Sequence, residues 1–99
     1  PYDIALIPMI NKNDTSALDK AINIYKELSK NDIDGLIDDT EENFSSKIKK
    51  MNLIGAPYQI IIGKKSDGDL FEFKEIGKET QNLSLIKIIE IIKKQKNSN

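Results

Sequence analysis

Asp38-Asp39-Thr40-Glu41-Glu42, then Lys47-Ile48, then Leu53-Ile54-Gly55-Ala56-Pro57-Tyr58 running into Ile60-Ile61-Ile62-Gly63, is the stretch of this chain that decides its fold. Pro57 cannot donate to a β-ladder and suits the start of a strand, so Tyr58 to Ile62 reads as a strand buried on both faces, near the centre of a sheet. Before it, Lys47 to Met51 reads as a short helix capped by Ser45 or Ser46. Ile48 and Met51 share one face of that helix, and Lys47 and Lys50 share another. The acidic run from Asp38 therefore lies in a loop between a strand end and a helix.

Upstream, Asp34-Gly35-Leu36-Ile37-Asp38 reads as a short second strand that ends at the Asp38-Asp39 pair. Ile4, Leu6 and Ile7, ended by Pro8, form a first strand covered on both faces. Leu18, Ala21, Ile22, Tyr25 and Leu28 recur at helical spacing, predicting a helix from about Thr15 to Lys30, capped by Asp14 or Thr15 and closed by Asn31. A strand, helix, strand order with so short a return favours a parallel right-handed crossover.

Downstream, Lys65-Ser66-Asp67-Gly68 is a turn by composition, and Leu70, Phe71 and Phe73 alternate with Glu72, Lys74 and Glu75 as a half-exposed antiparallel strand. Thr80 to Leu83 adds an edge strand. Ser84 caps a last helix with Leu85, Ile88, Ile89 and Ile92 as its apolar stripe, and the residues from Lys93 read as a polar tail. The fold class is α/β: three layers, α/β/α, around a five-stranded mixed sheet.

The 99 residues make one domain, residues 1–94 with a polar tail over 95–99, of a size that buries roughly two-thirds of the unfolded surface. The chain opens at Pro1 and enters an apolar run within three residues, as expected of a piece cut from a longer protein. Cysteine and histidine are both absent, so disulfides, thiolate nucleophiles, imidazole bases and Cys/His zinc sites are excluded. No apolar run approaches the roughly 18 residues that cross a bilayer, and the expectation is a soluble, cytoplasmic protein without membrane contact.

A net charge of −1 argues against a general nucleic-acid coat, so any RNA contact must be local. All 15 basic residues are lysines, and 18 isoleucines and nine asparagines accompany them, as AT-rich coding would produce. The chain consequently has no guanidinium fork for bidentate recognition.

Asp38, Asp39, Glu41 and Glu42 invite a magnesium reading, but no second acidic locus follows the first strand, where Met9-Ile10-Asn11 stands, so no metal is assigned. Carboxylates and an ammonium at a sheet end can instead read RNA. A carboxylate accepts from guanine's imino and amino groups, and an ammonium donates to carbonyl or phosphate oxygen, with Glu42 and Lys47 the best-matched pair. Phe44, set in a polar loop, is a candidate for base stacking, whereas Tyr58, Phe71 and Phe73 read as packing. Lys64, Lys65, Lys93, Lys94 and Lys96 can touch phosphates or be simply solvated.

From Pro1 to the last helix, and most closely from Asp38 to Lys65, the chain resembles the C-terminal anticodon-binding domain of class II aminoacyl-tRNA synthetases. The Leu53-to-Tyr58 segment is most similar to the bacterial prolyl branch. That resemblance implies binding of a tRNA anticodon stem-loop, recognition of the paired guanines of proline anticodons, and a fragment with no catalytic residues and no cofactor of its own. ATP and magnesium would serve a parent enzyme that joins proline to tRNA, a homodimer in family terms, whose catalytic domain belongs to the same chain. The RNA-binding positions it implies are Asp38, Asp39, Glu42 and Lys47, and Thr40 and Phe44 of the same loop complete the candidate RNA-binding set. The sequence departs from the family pattern at Thr40, where arginine is usual, and at Asn43, Phe44-Ser45 and Asn52. The alternatives are a related synthetase or accessory subunit, a receiver-like domain binding magnesium through Asp38 and Asp39, and a structural appendage docking through Phe44 and the last helix.

Overall fold

The computed structural model describes residues 2–10, 13–40, 42–63 and 69–97. Five strands and three helices follow in the order β1 (Ile4–Pro8), α1 (Ser16–Lys30), β2 (Gly35–Ile37), α2 (Phe44–Ile54), β3 (Tyr58–Ile62), β4 (Leu70–Glu75), β5 (Gln81–Ser84) and α3 (Leu85–Asn97). They form one mixed sheet of order β2-β1-β3-β4-β5. The first three strands are parallel, and β4 and β5 join them antiparallel. The three-layer α/β/α architecture expected from the periodicities is the one observed, with β3 in the middle of the sheet.

Alternation along the strands sorts the two faces. Ile4 and Leu6 of β1, Tyr58, Ile60 and Ile62 of β3 and Phe73 of β4 pack against Ala17, Ala21, Ile24 and Leu28 of α1 and Ile88 and Ile92 of α3. On the opposite face Ala5 and Ile7 meet Met51 and Ile48 of α2, with Ala56 and Leu36. The Tyr58 and Phe73 rings stack across neighbouring strands at 5.4 Å between centroids. Successive helices on opposite faces are what two right-handed crossovers running in opposite directions from β1 and β2 require. The connections that leave the carboxyl ends of β1 and β2 thus pass to opposite faces of the sheet, at the edge where open α/β sheets bind ligands.

Several boundaries differ from the sequence reading, each for a visible reason. Strand β2 is confined to Gly35–Ile37 because its register against β1 covers only Ile4 to Leu6. Helix α2 begins earlier than expected: Asn43, rather than Ser45 or Ser46, caps it, its Oδ1 accepting from the Ser46 amide at 2.9 Å. Gly55 ends α2 with φ of 86°, the left-handed region that a side chain disfavours. Helix α3 continues through the expected tail to Asn97, because the Lys96 ammonium donates to Asp3 Oδ2 at 3.0 Å and to the Asp32 carbonyl at 2.8 Å. The turn expected over Lys65 to Gly68 lies outside the described residues.

Ile60, buried at the sheet centre, carries a direct expectation. Ile60→Ala should lower the unfolding free energy in urea by about 2–5 kcal/mol, whereas Leu53→Ala, at an 89 % exposed position, should change it by less than about 0.5 kcal/mol.

Candidate functional site

The β2–α2 connection leaves the sheet at the switch point. Asp38, the first residue beyond β2, is held by its amide on the Leu6 carbonyl at 3.0 Å and is almost wholly buried. Its Oδ1 accepts from the Thr40 amide at 3.1 Å and the Thr40 hydroxyl at 2.6 Å, closing a tight local turn. Asp39 and Thr40 are exposed on the outside of that turn, and Glu42 is exposed beyond it. Phe44 opens α2, and its side chain, like the whole of Glu41, lies outside the described residues.

Lys47 is the surprise of the site. The side chain assigned to an RNA oxygen is only 1 % exposed, and its ammonium donates to the Pro8 carbonyl at 2.9 Å and the Asp38 carbonyl at 3.3 Å. Those carbonyls terminate β1 and leave β2, so one cation from the first turn of α2 joins both strand ends. The crevice that this fold usually offers to a ligand is filled from within. Spacing explains the burial: Lys47 stands four residues before Met51, on the stripe that packs against the sheet.

Lys50, one turn later, is the lysine that meets the side chains of the acidic loop. Its ammonium lies 2.6 Å from Glu42 Oε2 and 3.1 Å from Asp38 Oδ2, and the side chain remains 38 % exposed. The approach to Asp38 Oδ2 is an ion pair with a buried carboxylate. The structure therefore brings Asp38, Thr40, Glu42, Lys47 and Lys50 together, and leaves Asp39 exposed beside them. The pairing of Lys47 and Lys50 on one helical face was legible in the sequence, but the carboxylates that Lys50 would meet were not.

The local charges follow from these contacts. Burial pushes the Asp38 carboxyl up, but the Thr40 hydroxyl and amide, the Lys50 ammonium and the Lys47 charge together hold it below the usual carboxylate range. Burial pulls the Lys47 ammonium below the usual lysine range, against the opposing charge of Asp38. Glu42 is lowered by Lys50 and then by Thr40, and Lys50 is raised by Glu42 and then by Asp38. Among the described residues, no three carboxylates converge on a point that could hold a metal ion.

A family model described as "Anticodon binding domain" matches residues 3–95. The chain belongs to that family. All 99 residues of this anticodon-binding domain align at 60 % identity with a proline–tRNA ligase of Pelagibacter ubique, of which they span 22 %. A proline–tRNA ligase of Caldicellulosiruptor bescii is 34 % identical over 93 residues, covering 16 % of that protein. The chain thus spans about a fifth of the length of these curated relatives. In structure, the RNA binding domain of a threonyl-tRNA synthetase from Cryptosporidium parvum superposes with a TM-score of 0.82 at 16 % identity, over 95 % of this chain and 23 % of that one. At that identity the likeness shows the shared fold. No helix among the described residues is long and apolar enough to cross a membrane.

Two outcomes follow from the buried charges. Lys47→Met keeps the length of the side chain but leaves two strand-end carbonyls without a donor, so urea unfolding should show a loss of about 1–3 kcal/mol; a change under 0.5 kcal/mol would mean that the ammonium does not secure the strand ends. For Asp38, a native pKa below the unfolded value means that the unfolded chain binds more protons between the two, so the stabilisation is complete above about pH 4 and is lost as pH falls through the native value. Asp38→Asn should therefore be less stable than the parent at pH 7, with the gap closing on acidification below about pH 4. A gap independent of pH would assign Asp38 a purely steric role.

Proposed function

We propose that this chain is the anticodon-recognition module of a proline–tRNA ligase, and that the Asp38-to-Lys50 segment is the surface that reads the anticodon loop. The observation that carries the proposal is the 60 % identity, across all 99 residues, to a proline–tRNA ligase within a chain that belongs to the anticodon binding domain family. The parent would use ATP and magnesium to join proline to its tRNA on a catalytic domain elsewhere in the same polypeptide, as a cytoplasmic homodimer.

The geometry suits that role. Asp39, Thr40 and Glu42 stand exposed on a loop whose two ends are fixed, at Asp38 by backbone and side-chain bonds and at Asn43 by the helix cap. Carboxylate and hydroxyl groups on such a loop can accept from the Watson–Crick edge of an unstacked guanine. Phe44 is kept in the proposal as the stacking residue, at the first position of α2. Asp38 and Lys47, both buried, would act by holding the loop rather than by touching RNA.

Chemical-shift mapping of the 99-residue chain tests this with a proline anticodon stem-loop beside a hairpin whose two guanines are replaced. Shifts at Asp39 to Asn43 with the first hairpin alone are expected, and Glu42→Gln should reduce the preference between hairpins more than it reduces total binding. Equal shifts from both RNAs would remove base reading from this loop, and shifts from neither would leave the segment without an RNA role.

A further inference from the structure

In the free domain, one oxygen of Glu42 is already engaged, so a base edge would have to compete for it. A carboxylate that accepts both the imino and the amino proton of one guanine needs both of its oxygens. Glu42 Oε2 is already engaged, with Lys50 at 2.6 Å and the Thr40 hydroxyl at 3.2 Å. The hydroxyl has a single proton and makes its shorter bond, 2.6 Å, to Asp38 Oδ1, so the lasting partner of Glu42 is Lys50. Lys50 has a second carboxylate, Asp38 Oδ2 at 3.1 Å, which is buried and belongs to the fixed base of the loop.

The ion triad is therefore asymmetric. Asp38 cannot leave and Glu42 can, because its side chain is half exposed on a loop residue outside any helix or strand. An exposed ion pair contributes little net stability, so opening the Glu42 arm costs little, and Lys50 stays anchored to Asp38 when it opens. A phosphate oxygen is the natural replacement: it restores the charge pairing of Lys50 and is supplied by the same nucleotide whose base Glu42 would engage. Lys47, its ammonium donated to backbone carbonyls, is not free to take that place.

We propose that Lys50 is the phosphate-contacting cation of this loop and that it exchanges Glu42 for an RNA phosphate on binding, releasing Glu42 to read a base. This rests on the anticodon-reading proposal above and adds to it a residue and an order of events. No bond is made or broken; one ion pair replaces another, and one carboxylate passes from an ammonium to a base edge.

The test is the salt dependence of hairpin binding for the 99-residue chain and for Lys50→Gln and Lys50→Arg. Lys50→Gln removes the charge and Lys50→Arg retains it, while the Thr40 bonds to Asp38 Oδ1, which neither variant touches, keep the base of the loop in both. Wild type should prefer the guanine hairpin, and Lys50→Gln should lower the magnitude of the slope of log K against log salt by about 0.7–0.9, with Lys50→Arg restoring it. A wild type that discriminates between hairpins while Lys50→Gln keeps the full slope would overturn the exchange and leave the anticodon reading intact. A wild type that binds both hairpins equally would overturn the base reading, and the exchange with it, whatever the slope.

Discussion

The Lys47 ammonium on the carbonyls of Pro8 and Asp38 is the contact on which the rest of the site depends. Parallel strands that end at different helices leave their last carbonyls without ladder partners, and a buried carbonyl without a donor costs about 1–3 kcal/mol. An ammonium brings three donors and no acceptor, so one lysine can answer two carbonyls at once. The same group carries a desolvation cost that lowers its pKa, and the neighbouring Asp38 carboxylate offsets part of it. Strand ends, helix start and acidic turn are in this way a single electrostatic unit.

That arrangement changes how a chain of net charge −1 can meet a polyanion. The positive charge nearest the crevice is buried and faces inward, and Asp38 is neutralised by it and by Lys50. What faces outward is a short polar loop with one partly exposed lysine at its edge. A surface of this kind has little general attraction for phosphate and must bind through a few placed groups.

Which features were legible in the sequence depended on how local their causes are. Strand β3 could be read residue by residue, because Pro57 and five residues of buried strand define it without outside help. The burial of Lys47 was also encoded, in its four-residue spacing from Met51, but a lysine between polar residues invites the opposite reading until the strand ends above it are placed. The Lys50 triad was hidden by distance along the chain, because Asp38 and Lys50 are apposed only once β2 and α2 are packed. Likewise the last turns of α3 read as a tail, and become helix because Lys96 finds Asp3, a partner 93 residues away.

The loop that results is stiff on one side and yielding on the other. From Asp38 to Thr40 it is fixed by the Leu6 carbonyl, by two bonds to one carboxylate oxygen and by the lysine beneath. At Glu42 it is held by a solvent-facing ion pair and the longer Thr40 hydroxyl contact, before the Asn43 cap fixes the chain again. Ordering a flexible side chain on binding costs about 0.5–1.5 kcal/mol, and here that cost falls on Glu42 and Lys50 while the backbone that carries them is already set. Such a division would suit the base reading proposed above: the fixed half would set where a nucleotide lies, and the movable half would respond to which base it is.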